Sequence, residues 1–233
     1  SLASFFPSDS ELRDTPRPKN EELPSLDGVT LLNFSGKTAE FALGGKKLDP
    51  VTLKVDGIYN VLNVAAALAL VHTIIPEEAN GKTLLKAVRD VRPAFGRGEA
   101  VIIDGNPLEI VLVKNPSGFR LALTSYARRP AATMIAINDR YADGRDMSWL
   151  WDVDFDSLRR IGVDMVSGIR AYDMALRLQY EDVPVGTVDT DVESALKHFI
   201  DHSKGTRRIY CSYTAMLALR KELSKTYKLE PIE

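Results

Sequence analysis

Between Met134 and Asp154 the chain reads MIAINDRYADGRDMSWLWDVD. An apolar run, Met134 to Ile137, opens into Asp139, Arg140, Asp143, Arg145 and Asp146, and then into Trp149, Trp151 and Asp152. Both tryptophans of the protein stand in this stretch. A strand that runs into a charged loop at its carboxyl end is where open α/β sheets place their sites. A carboxylate there can orient an imidazole and stabilise its cation, the third part of a nucleophile–histidine–acid triad. The chain offers little to complete one. His72 lies in an apolar segment. His198 and His202 are four apart on one face of an amphipathic segment, a spacing that suits a metal or a solvated helix face. The single cysteine, Cys211, ends a predicted strand, Arg207–Cys211, and reads as a small core residue. An aspartate of this loop, if catalytic, would serve a histidine on another chain. The competing reading is a structural turn, with Asp143-Gly144 as the turn pair and the tryptophans partly in the core.

Three further groups could meet a ligand. Gly57, Asn60 and Asn63 open a predicted helix, where free N–H groups attract polar ligands and an asparagine amide suits the adenine edge; helix capping explains them equally. Arg97, in Phe95-Gly-Arg-Gly-Glu99, could reach a ribose or phosphate with its fork of donors, or stand at a hinge. Lys114-Asn115-Pro116 follows a predicted strand and starts a helix, so the lysine could neutralise a phosphate there; a plain strand-to-helix turn is the alternative. Asn80-Gly81-Lys82-Thr83 mimics the end of a phosphate-binding loop, but Pro76 stands where the motif needs glycine.

The elements that must position these groups fall into two parts. Residues 1–27 are polar and Pro-rich and read as irregular. Val29–Asn33 and Ala39–Leu43 predict a hairpin, Val51–Val55 a third strand, Val64–Val71 part of a small-residue helix, and 81–91 a second helix. Arg92-Pro93 marks a boundary. Beyond it, strands are expected at 100–104, 108–113, 132–138, 163–167, 185–188 and 207–211. Helices are expected at 116–128, 155–161, 170–180, 191–202 and 213–225. That alternation predicts an α/β, Rossmann-like doubly wound domain at 94–233 with parallel strands.

Composition narrows the classes. The chain has 233 residues, 45% of them apolar, enough for a substantial core in one large domain or two small ones. A net charge of -2 leaves no electrostatic footprint for nucleic acid. One cysteine excludes an internal disulfide and a cysteine-based zinc site within this chain. No apolar run approaches the roughly 20 residues of a membrane span. Residues 1–20 lack the pattern of a signal peptide and read as a loop from mid-protein, so a fragment is expected.

These residues together carry a resemblance. The Gly57–Asn63 segment with its alanine-rich helix, FGRGE at 95–99 and KNP at 114–116 look like the second half of a Mur ligase. NDRYADGRDMSWLWDVDF at 138–155, SGIRAYDMALRL at 167–178 and YTAMLALR at 213–220 resemble the MurT family, ligase-like subunits of lipid II isoglutaminyl synthase. The resemblance implies that residues 1–93 are the C-terminal part of a Mur ligase central domain and 94–233 the Rossmann-like MurT C-terminal domain. It implies ATP and Mg²⁺ as cofactors, with a P-loop and a Cys₄ zinc site expected only in a missing N-terminal part. It implies a heterodimer with a GatD-type glutaminase, in the cytoplasm at the inner membrane face where lipid II is presented. The activity implied is amidation of the D-glutamate α-carboxylate of lipid II to D-isoglutamine through an acyl phosphate. By motif, Asn60 and Asn63 match the adenine-contacting helix start, Arg97 the ribose-side arginine, and Lys114 and Asn115 the loop that closes over ATP. The 143–152 aspartates match the loop that offers a carboxylate to the glutaminase, with Asp146 the first choice, Asp143 the second and Asp152 the third. Alternatives are a docking and activating module for a glutaminase, and a Mur-type ligase that adds an amino acid.

Overall fold

A computed structural model of the chain describes residues 28–55, 58–91, 97–126 and 129–229, without the side chains of residues 59 and 97–99. The Pro-rich start and Gly57 lie outside the described residues. The chain divides into two compact units, Ser1–Val91 and Arg92–Glu233.

The first unit is a small antiparallel sheet with two helices. β1 (Val29–Ser35) and β2 (Thr38–Leu43) form the expected hairpin, and β3 (Lys46–Lys47) and β4 (Val51–Thr52) both pair with β2. The third strand is shorter than the sequence implies. Leu53 and Val55 leave the ladder yet remain buried, because they enter the core as single side chains. α1 (Ile58–Ile74) and α2 (Gly81–Arg89) supply Val61, Val64, Leu68, Leu84, Leu85 and Val88 to that core. The Asn80 side chain accepts from the Thr83 N–H at 3.1 Å, an N-cap that accounts for the Asn-Gly-Lys-Thr sequence. One face of α1 leaves Leu62, Leu70, Val71 and Ile74 exposed. Among the described residues no helix is long and apolar enough to cross a membrane.

The second unit is the α/β domain. Its six strands are β5 (Arg97–Ile103), β6 (Asn106–Leu112), β7 (Ala132–Ala136), β8 (Val163–Ser167), β9 (Val185–Asp189) and β10 (Arg207–Cys211), in the order β5-β6-β10-β7-β8-β9. From β6 to β9 all neighbours are parallel. β5 and β6 pair antiparallel because no helix separates them. They are joined at Asp104 and Gly105, both at positive φ (51° and 75°), the backbone of a tight hairpin turn.

Helices cover both faces. α3 (Pro116–Tyr126) and α4 (Ala171–Tyr180) bury Phe119, Leu123, Met174 and Leu178 on one side. α5 (Val192–His202) and α6 (Tyr213–Leu223) bury Leu196, Phe199, Met216 and Leu219 on the other. The strands between them read as apolar runs because both faces are covered. This is the doubly wound arrangement expected.

The helix expected over 155–161 is only a single 3₁₀ turn, Asp156–Leu158. Asp154 Oδ1 accepts from the Asp156 N–H at 2.9 Å, and Gly162 at φ 75° turns the chain into β8. An aspartate turn and a left-handed glycine leave too few residues for a longer helix.

Candidate functional site

The 138–154 segment leaves β7 at the carboxyl end of the sheet, beside β10. The two strands send their continuations to opposite faces: the segment after β7 packs in the α3 and α4 layer, and α6 follows β10 into the other. Such a divergence opens a crevice in a doubly wound sheet. Here polar side chains stitch it. The Asn138 N–H donates to Ser212 Oγ at 2.9 Å, and Asn138 Nδ2 donates to Thr214 Oγ1 at 3.1 Å. Asn138 Oδ1 accepts from the Ile169 N–H at 2.9 Å. Asn138 and Ser212 are buried, so each bond is worth more than it would be in water.

Asp143 joins the same network. Its Oδ1 accepts from the Thr214 N–H at 2.7 Å, and its Oδ2 from Thr214 Oγ1 at 2.5 Å and the Arg140 N–H at 3.0 Å. Thr214 lies in the first turn of α6, so Asp143 caps that helix from a distant loop. Both carboxylate oxygens are committed within the chain.

Asp146 and Asp152 are placed otherwise. Both are exposed. Asp146 Oδ1 accepts from the Ser148 N–H at 2.8 Å. The Ser148 hydroxyl, and then its N–H, hold this carboxyl below the usual carboxylate range, so it is ionised at neutral pH. Asp152 closes the 3₁₀ turn Ser148–Asp152, and its main-chain oxygen accepts from Arg120 Nη1 of α3 at 2.5 Å. Between them the tryptophans part company. Trp149 packs partly buried against the α3 and α4 core. Trp151 is 48% exposed and meets Tyr180 edge-on at 5.3 Å. Tyr180 and Tyr172 on α4 are themselves largely exposed. Trp151 thus stands on the surface with Tyr180, and Trp149 secures the loop.

Lys114 reaches the same end of the sheet from β6. It is exposed, with its ammonium 5.3 Å from the centre of the Tyr213 ring. Asn115 Oδ1 accepts from the Gly118 N–H at 2.7 Å, capping α3. The structure thus brings Lys114, Asn138 and Asp143 around Ser212, Tyr213 and Thr214, and sets Asp146 and Asp152 apart on the exposed turn. Asn60 is buried and Asn63 exposed on α1 of the first unit. Arg97 begins β5 beside Val111; its side chain lies outside the described residues. Asn115 already spends its oxygen on the helix cap.

Among the described residues the hydrogen bonds of Asp143 and Asp146 go to Arg140, Ser148 and Thr214, not to a histidine or to Cys211. Cys211 is fully buried in β10, and burial pushes its thiol far above the ordinary range. The His198 and His202 rings stack at 4.0 Å on α5. One group of three acids, Asp154, Asp156 and Glu181, lies close enough to share a cation. Arg159 and Arg177 already pair with it, at 2.7 Å to Asp156 and 2.6 Å to Glu181.

Sequence reasoning passed over Arg177, Arg120, Ser212 and Thr214. Arg177 left a readable trace. It interrupts the apolar face that Ala171, Met174 and Leu178 form on α4, and an arginine there must find partners.

Residues 112–216 match the family described as MurT ligase C-terminal. Over these residues the chain is similar to the MurT family. A curated relative from Streptococcus pneumoniae, lipid II isoglutaminyl synthase (glutamine-hydrolyzing) subunit MurT, is 28% identical over 209 residues, which cover 86% of this chain and 45% of the relative. The chain spans less than half the length of the curated relatives it matches. Among solved structures, a pseudomurein peptide ligase type C from Methanothermus fervidus has a TM-score of 0.65 at 16% identity, over 91% of this chain and 44% of that one. A MurF ligase from Thermotoga maritima, solved in complex with ADP, has a TM-score of 0.60 at 16% identity, over 85% and 47%. The likeness to these structures is one of fold.

Proposed function

We propose that this chain is part of the ligase subunit of a lipid II isoglutaminyl synthase, amidating the D-glutamate α-carboxylate of lipid II with ammonia from a GatD-type glutaminase. The observation that carries this reading is the alignment with the Streptococcus pneumoniae MurT subunit over 86% of the chain. That relative's name states both glutamine hydrolysis and a subunit role. The reaction would take place in the cytoplasm at the membrane face that presents lipid II.

ATP, held with Mg²⁺, would supply the phosphoryl group that makes the carboxylate oxygen a leaving group. Ammonia then attacks the acyl carbon. The C–N bond forms, the C–O bond to phosphate breaks, and the nitrogen loses its proton. Asn63, Arg97 and Lys114 are the residues of this chain we assign to nucleotide contact. The exposed carboxylates Asp146 and Asp152 are assigned to the glutaminase: each presents a charge that can orient a partner's histidine, which this chain does not itself provide among the described residues. Trp151 and Tyr180 supply the kind of aromatic anchor that interfaces favour.

The test is amidation of lipid II by the full-length protein with a glutaminase partner. ATP and glutamine together should support turnover. An ammonium salt should replace glutamine without the partner. Arg97→Ala should abolish both routes, and Asp146→Asn should slow only the glutamine route. Amidation that ignores ATP, or transfer of an amino acid in place of ammonia, would sink the proposal.

A further inference from the structure

Arg177 is buried on α4 and gripped from three sides. Its Nε donates to the Leu150 carbonyl at 3.2 Å, and its Nη2 donates to the Val153 carbonyl at 2.6 Å. Nη2 also pairs with Glu181 Oε1 at 2.6 Å. The guanidinium carbon stands 5.4 Å from the Trp151 ring centre and 5.5 Å from that of Phe155. One planar fork therefore bridges two carbonyls of the 148–153 turn. Glu181 is itself held by Arg159 Nη2 at 3.0 Å. From the other side, Arg120 of α3 donates to the carbonyl of Asp152.

Met147, Leu150 and Val153 anchor the turn in the α3 and α4 core, but few hydrogen bonds of its own fix its carbonyls. Its own main-chain bonds are Leu150 N–H to Met147 O at 3.1 Å and Val153 N–H to Leu150 O at 3.3 Å, the latter long. A single 3₁₀ turn with such bonds is marginal by itself. The two arginines fix the direction of its carbonyls at Leu150, Asp152 and Val153.

We propose that Arg177 is a positioning residue for the partner's glutamine hydrolysis. By fixing the carbonyls of Leu150 and Val153, it holds Asp146 and Asp152 at a set spacing on either side of the turn. The partner then meets a preformed carboxylate and does not have to order one. Lysine cannot reproduce this, because an ammonium is a point charge without the planar fork. The inference rests on the reading that the 146–152 turn completes the partner's site.

The experiment uses the complex of the full-length protein with its glutaminase. Arg177→Lys should lower kcat for glutamine roughly 10–100-fold, as displaced supporting shells do. KM for glutamine should stay within about twofold, since substrate binds on the partner. Amidation driven by an ammonium salt should be unchanged. Glu181→Gln, which leaves both carbonyl bonds intact, should retain most glutamine turnover. Wild-type kcat in an assembled Arg177→Lys complex overturns the proposal. Should Arg177→Lys fail to assemble, Arg120→Ala is the readout: about a tenfold drop in kcat is expected, and an unchanged kcat overturns the clamp. If Asp146→Asn and Asp152→Asn also leave glutamine turnover untouched, the underlying reading fails. If they abolish it while Arg177→Lys does not, only the clamp is lost.

Discussion

Aspartates in one short loop do different work here, and hydrogen-bond accounting separates them. Asp143 accepts three bonds within the chain and ties the loop to α6. Removing it leaves the Thr214 N–H and hydroxyl without that acceptor in a half-buried site. Asp143→Ala should therefore cost about 1–3 kcal/mol of stability, read as a lower urea midpoint for the whole chain. A midpoint equal to wild type would show that Asp143 is not the cap. Asp146 makes its bonds to Ser148 at the exposed surface, so its substitution should shift the midpoint far less than that of Asp143. The residue types at 143 and 146 were plain in the sequence; their division of labour was not. Asp-Gly marks a turn, but which N–H groups an aspartate meets depends on a helix seventy residues further on. Arg177 was legible only as an anomaly, a charge on an apolar helix face.

At the scale of elements, local chemistry set most of the pattern and tertiary contacts set its edges. The 132–136 and 163–167 runs, largely apolar, and the 207–211 strand, which buries two paired arginines beside Ile209, Tyr210 and Cys211, become central strands because helices cover both faces. The β5–β6 hairpin was also available in principle: Asp104-Gly105 is a strong short-range turn signal. The 155–161 stretch went wrong because Phe155 and Leu158 are buried at a helix-compatible spacing, while the Asp154 turn and Gly162 stop the helix after one turn. The junction after β8 is the tightest point. Gly168 has φ 93°, and a Cβ there would lie 2.4 Å from the Ile137 carbonyl oxygen and 2.9 Å from Asn138 Oδ1. Gly168→Ala should destabilise by about 3 kcal/mol or more, combining backbone strain with that clash. A calorimetric midpoint shifted by less than a degree would show that the crossing can relax.

On the scale of the whole molecule, each unit owns its core. The second unit packs two apolar layers on its sheet, drawn among the described residues from 101–229. A protein made of residues 92–233 should therefore unfold in urea as one cooperative transition. A broad, non-cooperative loss of near-ultraviolet signal would mean that this domain borrows stability from the first. The division into an antiparallel part and an alternating part was legible, because it follows from where helices interrupt strands. The residues proposed for nucleotide contact were singled out as a set only through resemblance: Asn60, Asn63, Arg97 and Lys114 are far apart in the sequence, and no spacing rule links them.

Cys211 occupies the last position of β10, which lies between β6 and β7 in the six-stranded sheet. It is the sole thiol of the chain and is sealed from solvent. A thiol reagent can reach it only when the centre of the sheet comes apart. Its labelling rate is thus a built-in clock for sheet opening, and surface fraying at α4 or the tryptophan turn will not advance it.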